Sequence, residues 1–191
     1  MDIDTPLREL GEFDATALRD CILDQDELAW HEDEYRQQQF DVHNDTQSIV
    51  MVFTHGENWP NSEVRREPGW ARIADVAIPL MEAIILSRYP PGGTVIRAMA
   101  AKLLSGGKIS PHRDKHPSFS AAHRIHVPIT THPRVRFMID GQPYQFKLGE
   151  AYEINNQRKH SVMNKSDEDR ITFIFDYMPS TVLERVPESS G

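Results

Sequence analysis

The run Gly106-Gly107-Lys108-Ile109-Ser110-Pro111-His112-Arg113-Asp114 decides how the rest of the chain is read. Its paired glycines make a turn. Lys108–His112 then reads as a strand, and the run closes on His112-Arg113-Asp114, an H-x-D. On an extended strand, side chains two apart point to one face. The His112 imidazole and the Asp114 carboxylate can then grip one metal ion together. A second imidazole has to come from elsewhere. His160, 46 positions after Asp114 in Lys159-His160-Ser161-Val162-Met163, is the candidate. Two imidazoles and one carboxylate form the facial donor set of non-heme Fe(II) sites, which leaves three positions open. An H-x-D also occurs on surface strands whose Asp is merely solvated, so the residues around it carry the decision.

Outward from this stretch, the pattern on its C-terminal side is all strand. Val95–Leu104 precedes the glycine turn, and Arg124–Thr130 and Val135–Ile139 follow. Asp140-Gly141 is a hairpin signal leading into Tyr144–Lys147. Ala151–Ile154, His160–Asn164 and Arg170–Tyr177 complete the set. On the N-terminal side the period changes to that of helices. Asp14 caps a helix over Ala15–Asp26, with Leu18, Cys21 and Ile22 on its buried stripe. Trp70–Arg88 repeats apolar residues at helical spacing, and Pro79 should kink or split it. One strand, Gln47–Thr54, lies between them, and His55–Pro68 reads as a long loop. The layout predicts an α+β fold, a double-sheet jelly roll of the cupin kind with N-terminal helices packed on it. A single domain over 1–191 is expected. It comprises a helical or irregular part over 1–93, a β core over 94–179 and a polar tail over 180–191.

Composition sets the class. The chain has 191 residues, enough for one sizeable core. Hydrophobic residues at 39% against 26% charged suit a soluble globular protein rather than a disordered one. A formal charge of −8 argues against a nucleic-acid partner. Cys21 is the sole cysteine, so no intrachain disulfide forms and a reducing, cytoplasmic setting is expected. No secretory signal is visible, and the apolar run Val76–Leu86 is too short for a membrane span.

Two further clusters bear on chemistry. In His123-Arg124-Ile125-His126, Arg124 and His126 share one strand face, and a guanidinium beside an imidazole suits a carboxylate ligand. A surface ion pair for Arg124 and a hydrogen-bonded core position for His126 remain open. Arg170 opens the strand Arg170-Ile171-Thr172-Phe173-Ile174-Phe175, ten residues after His160. A buried Arg there needs an anion to offset its desolvation, and the far carboxylate of a dicarboxylate co-substrate supplies one. Thr172 points the same way with a hydroxyl. The alternative is an ion pair of Arg170 with Asp167, Glu168 or Asp169 in the preceding turn.

These runs, G-G-K-I-S-P-H-R-D, H-R-I-H-V-P-I, G-E-x-Y-E-I-N, K-H-S-V and D-R-I-T-F-I-F-D, resemble the aspartyl/asparaginyl β-hydroxylase family in order and spacing over about Val95 to Met178. R-Q-Q-Q-F-D-V-H with T-Q-S-I is also similar to its bacterial proline hydroxylase branch. The resemblance implies a double-stranded β-helix and a 2-oxoglutarate- and Fe(II)-dependent dioxygenase that consumes O2. It implies His112, Asp114 and His160 as iron ligands and Arg170 as the clamp on the distal 2-oxoglutarate carboxylate. It places Arg124 and His126 near the metal-side carboxylate. Some vertebrate members of that family lack the carboxylate ligand, whereas this chain keeps Asp114.

For the substrate, the expectation is a small molecule, an amino acid or a derivative of one, hydroxylated on a side-chain carbon. The expected rim is polar: Arg36, Gln37, Gln39, His43 and Asn44 on one side, His116, Ser118 and Ser120 on the other. The polar stretch Glu27–Gln39 reads first as structural, with Trp30 and Tyr35 as residues that could reach a substrate, and Asn155 either supports His160 or caps a turn. A peptide carrying Asp, Asn or Pro, or a natural-product intermediate, is the alternative substrate. A non-catalytic metal-binding barrel and a zinc hydrolase are the rival functions.

Overall fold

The computed structural model describes residues 1–32, 45–56 and 59–183. Two antiparallel sheets form the body. The elements in chain order are β1 (Leu7–Glu12), α1 (Thr16–Leu23), β2 (Thr46–His55), β3 (Glu63–Arg66), α2 (Gly69–Arg88), β4 (Thr94–Leu103) and β5 (Lys108–His112). A short α3 (Ser118–Ala121) precedes β6 (His123–Pro128), β7 (Val135–Ile139) and β8 (Gln142–Tyr144). Then come β9 (Glu150–Ile154), β10 (His160–Asn164), β11 (Arg170–Met178) and α4 (Ser180–Leu183). The larger sheet runs β1-β9-β6-β11-β4-β2-β3 and the smaller β5-β10-β7-β8. This is the expected α+β double-stranded β-helix, with helices packed on one face.

Strand parity decides what faces what. On β11, Ile171, Phe173 and Phe175 pack with Leu18 and Ile22 of α1 and with Ile73, Ala77 and Ile84 of α2. The alternate residues Arg170, Thr172, Ile174 and Asp176 therefore face the space between the sheets. There Leu103, Phe137, Ile139, Phe146, Tyr152, Ile154 and Val162 form a second apolar cluster. One face of β11 packs on the helices and the other presents Arg170, Thr172 and Asp176 to the space between the sheets.

The helix α2 runs unbroken through Pro79. Pro79 is on the exposed side, so the backbone hydrogen bond it removes is one that water replaces. The Asp140-Gly141 hairpin is confirmed: both residues have positive φ, 49° and 80°, between Ile139 and Gln142. That is the two-residue turn whose twist matches the strands. The strand after it covers Gln142–Tyr144 rather than Tyr144–Lys147.

Two strands depart from the sequence expectation. β1 lies where no strand was expected, and β3 lies inside the expected loop over His55–Pro68. Both are edge strands of the larger sheet, and β3 is exposed at all four positions. Their backbones are held by pairing with β9 and β2 rather than by a buried face of their own. The part over 1–93 thus contributes three strands as well as helices. Trp30 is buried with the helix-side cluster under the Lys102 ammonium, 4.2 Å from its ring, and not at a substrate site. Tyr35, the rim residues Arg36, Gln37, Gln39, His43 and Asn44, and the end of the polar tail from Glu184 lie outside the described residues. No described helix is long and apolar enough to cross a membrane.

Candidate active site

Pairing of β10 with β5 sets His160 directly opposite His112. Their ring centroids are 4.4 Å apart. Asp114 completes the group, but not from the strand. β5 ends at His112, and the Asp114 N–H donates to the Asn156 carbonyl at 3.2 Å. Leaving the strand folds the carboxylate back toward the imidazoles: Asp114 Oδ1 is 3.7 Å from His112 Nε2 and 3.9 Å from His160 Nε2. One ligand atom from each residue lies within 4.8 Å of the others, a separation that can hold a metal ion.

The tautomers suit a metal. His112 Nδ1 lies 2.8 Å from the Ser110 carbonyl and His160 Nδ1 lies 3.0 Å from the Arg158 carbonyl. A carbonyl only accepts, so each Nδ1 carries the hydrogen and each Nε2 keeps its lone pair. Burial pulls the His160 pKa below the ordinary histidine value, against the pull of Asp114, and so favours the neutral, ligating form.

Behind Asp114 stands an ionic chain. Arg124 Nη1 donates to Asp114 Oδ2 at 2.8 Å, while its Nε and Nη2 donate to the two oxygens of Asp176 at 2.8 and 2.9 Å. Burial alone would weaken the Arg124 cation, but Asp114 and Asp176 outweigh it and hold the guanidinium charged. Asp176 is fully buried, and the Arg124 charge keeps it ionised against that burial. Arg124 therefore has carboxylate partners within the protein. It still lines the cavity that runs from the histidines into the space between the sheets.

The same cavity is lined by His126 and Arg170, with Leu103, Phe137, Ile154 and Ile174 as its apolar walls. Arg170 is buried, and no hydrogen bond or ion pair to its guanidinium is found among the described residues. Asp167 instead pairs with Arg134, and Asp169 accepts from the Ser105 N–H. Burial alone lowers the Arg170 pKa to about 10, so it is a cation at neutral pH with no anion beside it. Thr172 Oγ1 is buried without a partner on the same face. Both ring nitrogens of His126 are also unpartnered, and burial, then Arg170, pushes its pKa well below the usual range. One buried cation and two neutral polar side chains without partners thus stand on one inner face of the larger sheet, a set whose chemistry suits a small anion.

Of the two readings of Asn155 the turn cap holds: its Oδ1 accepts from the Gln157 N–H at 3.1 Å, while its amide donates to Asp2 Oδ1 and the Ile3 carbonyl, both at 2.7 Å. Its neighbour Asn156 makes the contact to Asp114, through the backbone. Of the expected rim, Ser118 is buried against His116 and Ser120 donates to the Pro117 carbonyl. Asp176 and Arg97 were not singled out by sequence reasoning. The alternation Arg170, Thr172, Ile174, Asp176 was the signal that places Asp176 on the site face.

Residues 24–179 match a family described as Aspartyl/Asparaginyl beta-hydroxylase. No curated protein matches the chain by sequence. Among solved structures, one similar fold is a prolyl hydroxylase from Trichoplax adhaerens in complex with a hypoxia inducible factor oxygen degradation domain peptide fragment. It is 8% identical over 97% of this chain and 89% of that one, with a TM-score of 0.61. The viral collagen prolyl hydroxylase of Paramecium Bursaria Chlorella virus-1, in its 2OG complex, is 9% identical over 92% and 96%, with a TM-score of 0.52. A 2OG-Fe(II) oxygenase family oxidoreductase from Burkholderia pseudomallei is 10% identical over 70% of this chain and 66% of that one, again at 0.52. Identities this low establish a shared fold.

Proposed function

The chain belongs to the aspartyl/asparaginyl β-hydroxylase family, and from that premise we propose that His112, Asp114 and His160 hold the Fe(II) of a 2-oxoglutarate-dependent hydroxylase and that Arg170 anchors its co-substrate. The observation that carries this reading is the Arg170 guanidinium, buried on the wall of the triad's own cavity with no anion beside it among the described residues. A zinc hydrolase or an inert metal barrel has no use for such a cation. When bound, iron and 2-oxoglutarate supply the oxidising chemistry: O2 is split between decarboxylation of the keto acid to succinate and insertion of one oxygen into a substrate C–H bond.

The residues divide the remaining work. Arg170 and Thr172 receive the distal carboxylate of 2-oxoglutarate deep in the cavity. His126, held neutral, and Arg124 stand nearer the triad, beside the position of the other carboxylate. Arg124 also holds Asp114 Oδ2 and so presents Oδ1 to the metal. Asp176 fixes Arg124 in turn. Outer partners of this kind tune metal affinity roughly 10–100-fold. Asp176→Asn is expected to weaken Co(II) or Ni(II) binding by that order, read by titration of the apoprotein. Unchanged affinity would show that Arg124 holds Asp114 unaided.

The substrate in this reading is a free amino acid or a small derivative of one. The support is enclosure: the segment after Asp114 packs against Arg124 beside the triad, with the Phe119 ring 4.4 Å from its guanidinium carbon and His116 bonded to the Gly56 carbonyl. Holding a small substrate there, one C–H aimed at the metal and water kept out, is the protein's contribution to rate. The test is a panel of the twenty amino acids and short Asp-, Asn- or Pro-containing peptides, scored for a product heavier by one oxygen. Hydroxylation of free amino acids, coupled to succinate, is expected. Turnover confined to peptides would overturn the substrate and leave the oxygenase standing.

A further inference from the structure

Arg97 is a second buried cation short of partners, and the roles assigned above do not use it. It is 3% exposed, and its Nε has no hydrogen-bond partner. Its Nη1 and Nη2 make only long contacts, 3.5 Å to Asp176 Oδ2 and 3.5 Å to His116 Nδ1. Asp176 is already committed, since both its oxygens accept from Arg124 at 2.8 and 2.9 Å. The remaining surroundings are aromatic: Phe119 lies 4.3 Å and Phe53 5.5 Å from the guanidinium carbon. A buried cation held this loosely is stabilised far less than its desolvation costs.

Its place in the sheet gives the unpaired Nε a direction. Across β4 and β11, Arg170 pairs with Leu103 and Asp176 pairs with Arg97. Six residues of strand separate the two rows, about 20 Å at roughly 3.3 Å per residue. Arg170 marks one end of the inner face and Arg97 the other. Arg124, in the Asp176 row, reaches Asp114 of the triad from there. Co-substrate running from Arg170 toward the triad thus leaves Arg97 on the opposite side.

The geometry points to Arg97 as the residue that receives the α-carboxylate of the substrate. A planar guanidinium takes a carboxylate through two parallel N–H bonds, which fixes orientation as well as affinity. The orphaned Nε and its neighbour Nη2 provide such an edge, with His116 Nδ1 beside Nη2 and Asp176 Oδ2 facing Nη1. The amino acid is then held by its backbone carboxylate, and its side chain is the part that reaches the metal. This inference rests on the free-amino-acid reading of the substrate.

The experiment compares L-proline, L-asparagine, L-aspartate and any further amino acid turned over in the panel with the corresponding α-carboxamides. Wild type, Arg97→Gln and Arg97→Lys are used as iron-loaded enzymes, with hydroxylated product measured by mass. Wild type should favour each acid over its amide by roughly 10- to 100-fold in kcat/KM, the effect of a charge-assisted contact. Arg97→Gln should erase that ratio by raising the KM of the acid while the amide is little affected. Arg97→Lys keeps a cation beside Asp176 and should retain part of the preference, which secures the test if the glutamine variant unfolds. Losses that fall equally on acid and amide in both variants would assign Arg97 a structural role and overturn the inference alone. Turnover of internal residues in peptides, with no free amino acid accepted, would overturn the inference together with the reading beneath it.

Discussion

His112→Ala and His160→Ala are each expected to reduce succinate release to the reagent blank and to abolish iron binding, while the circular dichroism spectrum is kept. The two rings stand opposite each other on paired strands, each fixed through Nδ1 to a backbone carbonyl. Alanine removes a ligand from a set of three that already leaves half of an octahedral shell open. The loss should exceed the roughly 10–100-fold that removal of an outer partner costs. The fold survives because His112 is at the end of β5 and His160 at the start of β10, while the core between the sheets is carried by residues such as Phe137, Ile139 and Val162. Succinate release at the wild-type rate from either variant would mean that the ligands have been misassigned.

Arg170→Leu separates function from stability in opposite directions. In the proposed role Arg170 makes a charge-assisted contact to the distal carboxylate, worth about 1.5–3 kcal/mol, so its loss should weaken 2-oxoglutarate binding by roughly 10- to 100-fold. The apoprotein should become more stable, because the wild-type guanidinium is buried and no anion among the described residues offsets its desolvation. In a domain of this size each kcal/mol gained raises Tm by about 2–4 °C. Thermal unfolding of the apoprotein and anaerobic titration with 2-oxoglutarate read the two effects separately. A wild-type affinity in the leucine variant would move the clamp to another cation. An apoprotein destabilised by the change would mean that Arg170 has a partner within the fold.

Parity and local chemistry were legible from the chain. The alternation on β11 put Arg170 and Thr172 on one face, and the turn at Asp140-Gly141 set the hairpin register. The helical spacing over Trp70–Arg88 located α2. Each of these depends on residues only a few positions apart, so a one-dimensional pattern suffices. The pairing of His112 with His160 was legible as a candidate because both sit at strand ends in motifs with matching chemistry.

The rest depended on contacts that no local pattern contains. β1 and β3 lack a buried alternating face, and only their pairing with β9 and β2 makes them strands. Asp114 was expected on the strand beside His112. The structure instead folds it off the strand end, where the Asn156 carbonyl holds its N–H and Arg124 holds its carboxylate. The sharing of Asp176 between Arg124 and Arg97 joins three strands that lie far apart in the chain. Sequence determined which side chains face inward and which chemistry they can perform. Tertiary structure decided which buried charges are paired and which still lack a partner, because burial and charge balance are properties of the closed space between the sheets.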